Sequence, residues 1–147
     1  MKRNAALQPL SREHHHALLL CWKIKTGFSK GVSAERIKAY TDWFYKNHLL
    51  KHFEMEEKYL FPILGSENKL IRQAIEEHKL LSMLFTNSSQ IDDSLKQIQI
   101  ELENHIRFEE RILFNDIQNA ATIKQFKKIT HMHSEENFVD NVSDKFW

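Results

Sequence analysis

Three side chains that commonly bind metal ions recur at intervals of four residues near the middle of the chain. They are His48, His52 and Glu56, within the sequence HLLKHFEMEE. On an α-helix this spacing places all three on one face, about 6 Å apart along the axis. Apolar residues continue the same face above and below them, where a helix would contact the core. Packing alone does not explain imidazole and carboxylate groups in that position, so they predict a metal site.

Three other segments with helical periodicity carry the same residue types on their core-facing side. The fourth predicted helix repeats the His-x-x-x-Glu pair at His105 and Glu109, and the first and third helices carry His14 and His78. In antiparallel helices, residues equally distant from the connecting turn lie at the same height. By that count these residues fall into one band, within about one helical turn of each other. The predicted metal ligands are His14, His48, His52, Glu56, His78, His105 and Glu109.

This band contains more donor groups than one ion usually takes from a protein. Its five imidazoles and two carboxylates form a mixed nitrogen and oxygen set, in which each carboxylate is able to bridge two ions. Zinc sites usually take four ligands and often use thiolates, but the chain has a single cysteine, Cys21. The set therefore favours two transition-metal ions such as iron or manganese, which would also offset the buried negative charge.

The composition is that of an ordinary single-domain protein. The 147 residues are 41% hydrophobic and 28% charged, and a net charge of +1 gives no electrostatic case for binding nucleic acid or anionic membranes. No apolar run is long enough to cross a bilayer, and the N-terminus lacks the apolar core of a signal peptide. A single cysteine excludes an internal disulfide, so we predict a soluble, cytoplasmic protein.

The apolar periodicity predicts an all-α fold, because four amphipathic segments are joined by short turns and the chain has only three Gly and two Pro. The predicted architecture is an up-down-up-down four-helix bundle with a short fifth helix and a C-terminal tail. We predict helices over about 11–28, 33–64, 66–85, 92–118 and 122–129. The bundle is assigned to residues 1–130, and residues 131–147 form a tail that packs on the bundle or extends from it.

Together these motifs resemble the hemerythrin-like, HHE cation-binding family. The resemblance covers about residues 10–118 and rests on Glu13-His14, His52-Phe53-x-x-Glu56-Glu57, Glu77-His78 and His105-Ile106-Arg107-Phe108-Glu109-Glu110. It implies a non-haem di-iron site inside a four-helix bundle, bridged by two carboxylates and an oxo or hydroxo group, with an open position for a small ligand. By position, the ligands that it implies are His14, His52, Glu56, His78, His105 and Glu109.

The sequence departs from the oxygen-carrying members of that family on the third helix. Those members have His-x-x-x-His there, whereas the position four residues before His78 is Ala74 and the position four residues after it is Ser82. Those members also place their second carboxylate, an Asp, five residues after its histidine, whereas Glu109 follows His105 by four residues. Either His48 supplies the missing imidazole, or one iron has an additional open position. The second case shifts the expected chemistry from oxygen carriage toward redox reactions.

Several assignments have alternatives at this point. His48 is as consistent with a packed core histidine as with a ligand, and an error of one residue in helical phase would make His15 the ligand on the first helix. A further pair at the same spacing, His131 and Glu135, is interpreted as a solvated contact in the tail. A ferritin-type site is set aside, because it requires Glu-x-x-His on two helices and the sequence has that motif once.

Three functions are compatible with such a centre. The first is a di-iron protein that binds or senses O2, NO or redox state, with manganese or zinc as less favoured metals. The second is a redox protein that acts in iron delivery, repair of metal centres, or reduction of peroxide or NO. The third is a scaffold whose site is empty or holds adventitious zinc. Because the sequence indicates no catalytic residue apart from the ligands, we favour the first over an enzyme.

Overall fold

The computed structural model describes residues 2–133 and 137–147, so Glu135, the predicted partner of His131, lies outside the described residues. Every regular element within those ranges is helical and none is a β-strand, which confirms the all-α class. The helices are α1 Gln8–Ser29, α2 Ala34–Phe44, α3 Leu50–Met55, α4 Lys69–Thr86, α5 Ile91–Phe108, α6 Phe114–Ala120 and α7 Ile123–Met132. In the described part of the chain, none of them combines the length and apolar character that a membrane span requires.

These helices make up four long helical segments and one short one. The first and third segments are α1 and α4. The second segment (residues 34–63) joins α2 to α3 and then ends in a short 3₁₀ turn, and the fourth (residues 91–120) joins α5 to α6. Helix α5 packs against α1, α2 and α4, and α2 also contacts α1 and α4. Residues from all four segments therefore share one interior.

Local side-chain chemistry sets the helix ends and corrects two predicted boundaries. Helix α1 begins before the predicted cap Ser11, because Pro9 fits the first turn of a helix, where its missing N–H is not needed. Helix α4 begins after Ser66, because the Asn68 side chain caps it by accepting two backbone N–H hydrogen bonds of 2.8 and 3.3 Å. Gly65, with φ of +89°, follows the second segment, which ends within one residue of the predicted position 64.

Three π-helical turns change which residues face the interior. They span Tyr45–Leu49, Glu56–Leu60 and Glu109–Leu113. A π turn holds about one residue more than an α turn, so it moves the buried stripe by one position. Leu113 is therefore fully buried, whereas Ile112, which an unbroken α-helix would place on the same face as Glu109, is 48% exposed. On the second segment the same shift puts Leu49, and not His48, on the buried face.

The apolar core is divided into two clusters, and a polar band lies between them. In α1, Leu10 belongs to one cluster and Ala17 to the other, and the buried His14 lies between them along the helix. The same order of apolar residue, polar residue and apolar residue recurs in the other three segments. Each segment therefore delivers its histidines or glutamates to the same level of the interior.

The C-terminal residues 137–147 have no regular secondary structure and pack against α1 and α2. Asp140 anchors them, because its carboxylate accepts hydrogen bonds from Lys23 Nζ at 2.6 Å and from the Tyr40 hydroxyl at 2.5 Å. Phe146 is only 5% exposed and belongs to the larger apolar cluster. Residues 137–147 therefore pack on the helices.

Candidate metal centre

Six of the seven predicted ligands meet in the interior, and all six side chains are at most 3% exposed. Their donor atoms form two groups, and within each group the atoms lie within 4.8 Å of one another. The groups are His14, His52, Glu56 and Glu109, and Glu56, His78, His105 and Glu109. Both groups contain Glu56 and Glu109, which we call the central glutamates. Buried imidazole and carboxylate donors at such distances can hold a metal ion.

The first half of the centre contains His14 and His52. Their Nε2 atoms lie 2.9 Å apart. Nε2 of His52 is 3.1 Å from a carboxylate oxygen of Glu56, and Nε2 of His14 is 3.1 Å from one of Glu109. Two imidazole nitrogens and two carboxylates from different segments thus converge on one small volume.

The second half contains His78 and His105 and repeats this geometry. Nε2 of His78 is 3.2 Å from the other carboxylate oxygen of Glu56, and Nε2 of His105 is 3.2 Å from a carboxylate oxygen of Glu109. The two imidazole rings are 4.9 Å apart at 66°, compared with 4.7 Å and 65° in the first half. The halves are therefore near copies of each other, joined by the central glutamates.

Four further residues, which we call the outer glutamates, orient the four histidines. In each pair a carboxylate oxygen lies 2.6–2.8 Å from the Nδ1 atom of a histidine. The pairs are Glu13 with His52, Glu57 with His78, Glu77 with His105, and Glu110 with His14. When Nδ1–H donates outward to a carboxylate, Nε2 keeps its lone pair and faces the centre, which is the tautomer that a metal ligand needs.

The outer glutamates also connect the four helical segments in a closed ring. Each one contacts a histidine of the next segment, and Glu110 on the fourth segment returns to His14 on the first. No role was predicted for Glu13 and Glu77 from the sequence, although both stand within the motifs that resemble the HHE cation-binding family. The available signal was their position, because each directly precedes a histidine of the centre.

The carboxylates raise the pKa of the histidines although burial opposes this. Burial lowers the pKa of His105, but Glu109 and Glu77 outweigh it and raise that pKa to about 10. Burial likewise lowers the pKa of His52, and its two carboxylate neighbours raise it to about 9. The centre therefore stabilises positive charge, which is what a bound cation supplies.

Several buried polar atoms of the centre have no hydrogen-bond partner within the described residues. They are both carboxylate oxygens of Glu56 and of Glu109, and Nε2 of His78 and of His105. The imidazole Nε2 atoms and carboxylate oxygens of the centre nevertheless approach one another to 3.1–3.4 Å in ion-pair contacts, so the donors are gathered around shared points. An unsatisfied buried group costs about 1–3 kcal/mol, and more when it is charged. Coordination of metal ions would satisfy all of these atoms, so the residues present fit a metal centre.

The remaining predicted ligand, His48, belongs to neither donor group found in the described part of the chain. The π turn places Leu49 on the buried face, and the His48 ring lies 4.8 Å from that of Phe138 in the C-terminal tail. On α1 the buried donor is His14, whereas His15 is exposed. The structure therefore brings together six of the seven predicted ligands and leaves His48 outside them.

Comparisons with known proteins add no independent identification. No protein-family model, curated protein or solved structure matches the chain. The function of the centre therefore has to be inferred from its donor atoms, its geometry and its surroundings.

Proposed function

We propose that this chain is a hemerythrin-like protein that holds two iron ions inside an up-down-up-down four-helix bundle. We further propose that it uses them to bind or sense O2, NO or redox state. The observation that carries the proposal is the pair of four-donor groups that share both central glutamates. A single ion would not need two near-identical halves. Six buried ionisable side chains are also far more than an ordinary core contains. The outer glutamates connect each helical segment to the next in a closed ring, and this supports the proposed four-helix bundle.

In this proposal His14 and His52 hold one ion, His78 and His105 hold the other, and the central glutamates bridge them. Each half would thus offer its ion two imidazoles and two carboxylates. Four such donors would saturate zinc, whereas iron and manganese accept more ligands and keep positions open for a small molecule. When bound, a pair of iron ions would supply a binding site for that molecule and an exchangeable electron.

The residues of the chain would orient the ligands and shield the centre from water. Each outer glutamate holds one imidazole with its Nε2 inward, so little reorganisation is needed when an ion binds. The two apolar clusters cover the band from both ends of the helices. Together these features would give a dry, rigid site in which only a small molecule reaches the ions.

A redox role is the second candidate, and the symmetry of the centre favours it over simple oxygen carriage. Each half offers two histidines. Ala74 stands one turn before His78, where the oxygen-carrying members of the family have another histidine, and His48 lies outside the centre. Both ions would then keep open positions, which suits reduction of peroxide or NO, iron delivery, or repair of metal centres. Anaerobic reduction followed by exposure to O2 separates the two roles. A spectrum that reverts when O2 is removed supports binding, and rapid irreversible oxidation supports redox chemistry.

The two-ion proposal is tested by replacing a central glutamate. Glu56→Ala removes one donor from each ion, so we expect the iron content to fall from about two ions per chain to fewer than one. The matched control is Glu54→Ala, because Glu54 is an exposed glutamate on the same helix. Iron content is measured after loading, and absorbance in the near ultraviolet is recorded after oxidation.

Two results would count against the proposal. One is a wild-type protein that takes up well under one iron per chain and has no near-ultraviolet charge-transfer band. The other is a Glu56→Ala variant that keeps the same iron content as Glu54→Ala. Circular dichroism of both variants shows whether a loss of iron reflects the ligand or a loss of helix.

A further inference from the structure

A small cavity lies beside the first half of the centre, between α1 and the second helical segment. Its volume is about 40 Å³, and His14 and His52 form part of its wall. A cavity needs roughly 10–15 Å³ to hold one water molecule. This one therefore has room for a molecule of two or three heavy atoms and excludes an organic substrate.

The remaining wall of the cavity is largely apolar. Its other lining residues are Ala17, Phe44, Leu49 and Phe138, the non-ligand histidines His16 and His48, and the outer glutamate Glu13, whose carboxylate would repel an anion. An apolar wall does not replace the hydration of an anion, so an ion would pay a large desolvation cost there. The cavity is therefore suited to a small uncharged molecule.

Within the described residues 137–147, the C-terminal tail contributes Phe138 to the lining of this cavity. Its ring stacks on that of His16, with 4.1 Å between centroids and 18° between planes, and lies 4.8 Å from the His48 ring. The side chain is half-buried, so it lies between the cavity and solvent. Asp140 anchors the chain two residues later. The outer side of the cavity is thus covered by a residue that lies outside the helices and is held by side-chain contacts.

We propose that Phe138 controls entry to this cavity, which we call the chamber, and that the C-terminal tail thereby sets how fast a small uncharged molecule reaches the first half of the centre. This proposal depends on the proposed function only in assuming that metal ions lie at the inner end of the chamber. The cavity, its size and its cover stand on the packing of α1, the second segment and the tail.

The role of Phe138 is tested with nitric oxide and the reduced, iron-loaded protein. Phe138→Ala removes the ring stack, so we expect nitric oxide to associate faster by roughly two- to tenfold, the range that corresponds to losing one aromatic contact. The control is Phe126→Ala, because Phe126 is a half-buried phenylalanine on α7 that lines a different pocket. Stopped-flow absorbance gives the rates. Equal rates in the two variants would overturn the assignment of Phe138.

The chamber is tested without reference to iron by xenon binding to the protein as purified, followed by xenon NMR. We expect the wild type to bind xenon, Phe138→Ala to exchange it faster, and Ala17→Val to lose it, because the added methyl groups fill the cavity. A wild type that binds no xenon, or an Ala17→Val variant that binds it equally, would overturn the chamber. A protein that binds xenon as expected but takes up no iron would instead contradict the proposed function and leave the cavity and its cover supported.

Discussion

The two halves of the centre share their inner geometry and differ in what covers them. In both, an outer glutamate holds each imidazole and a central glutamate approaches each Nε2 atom. Outside the first half lies a cavity lined by Phe138. In the second half, the Phe53 ring stacks on His78 with 3.9 Å between centroids, and Phe61 lies 5.4 Å from the same imidazole. The comparison indicates that the residues able to hold metal ions differ from the residues that would control access to them.

The two covers also differ in how the fold holds them. Phe53 lies in α3 and is 2% exposed, so it is displaced only if the second segment itself moves. Phe138 lies in an irregular tail that side-chain contacts keep in place. Segments with few backbone hydrogen bonds open locally at a small fraction of the free energy of global unfolding. We therefore expect ligands to enter at the first half, and each prediction below tests the likeness or the difference of the halves.

The largest effect is expected from Glu109→Ala, because Glu109 contributes a carboxylate to both donor groups. Both halves lose a donor at once, so we expect the protein to lose both ions and not to keep one. Metal analysis after loading measures this. The control is Asp116→Ala, an exposed carboxylate on the same segment. A variant that retains one tightly bound ion would show that the halves are independent sites and that Glu109 does not bridge them.

A smaller and equal effect is expected in the two halves when an outer glutamate is neutralised. Glu13→Gln weakens the hold on His52 in the first half, and Glu77→Gln weakens the hold on His105 in the second. Loss of such a partner typically lowers metal affinity by about 10- to 100-fold.

Competition with a chelator of known affinity measures this loss of affinity. Glu76→Gln is the control, because Glu76 is an exposed neighbour of Glu77. A loss in only one of the two variants would contradict the equivalence of the halves.

Much of the fold and of the centre could be predicted from the sequence, because both depend on helical periodicity. Positions three and four residues apart share a helix face, and His14 and His78 lie in phase with apolar residues on α1 and α4. Counting from the turns then placed the donors at one level. That procedure needs only regular helices and short connections, which this chain has.

The remaining features depend on tertiary packing that leaves little trace in the sequence. A π turn replaces i→i+4 hydrogen bonds by i→i+5 bonds, and no residue type specifies it, so the phase was wrong at Ile112 and His48 fell outside the donor groups. The outer glutamates resemble solvated surface residues, because their role depends on a histidine of another segment. Phe138 covers the first half across a large sequence separation, which no local pattern predicts.

The smallest effect is expected from loosening the anchor of the tail. Burial raises the pKa of Asp140, but the hydrogen bonds from Lys23 and Tyr40 lower it below its usual value, so the carboxylate is charged at neutral pH. Asp140→Asn removes that charge from a Lys23 side chain that is only 8% exposed. We expect the free energy of unfolding, measured in urea, to fall by about 1–2 kcal/mol.

Asp144→Asn is the matched control, because it breaks a second tail contact, with Arg36, in which both side chains are solvent-exposed. Exposed ion pairs contribute little to stability, because solvent screens them, so this variant should be close to the wild type in stability. If the tail covers only the first half, Asp140→Asn should also speed the association of nitric oxide, by less than Phe138→Ala does, and leave metal content unchanged. Equal stability and equal association rates in the two variants would show that the Asp140 anchor does not hold Phe138. The difference between the covers of the two halves would then have to come from Phe53 and Phe61 alone.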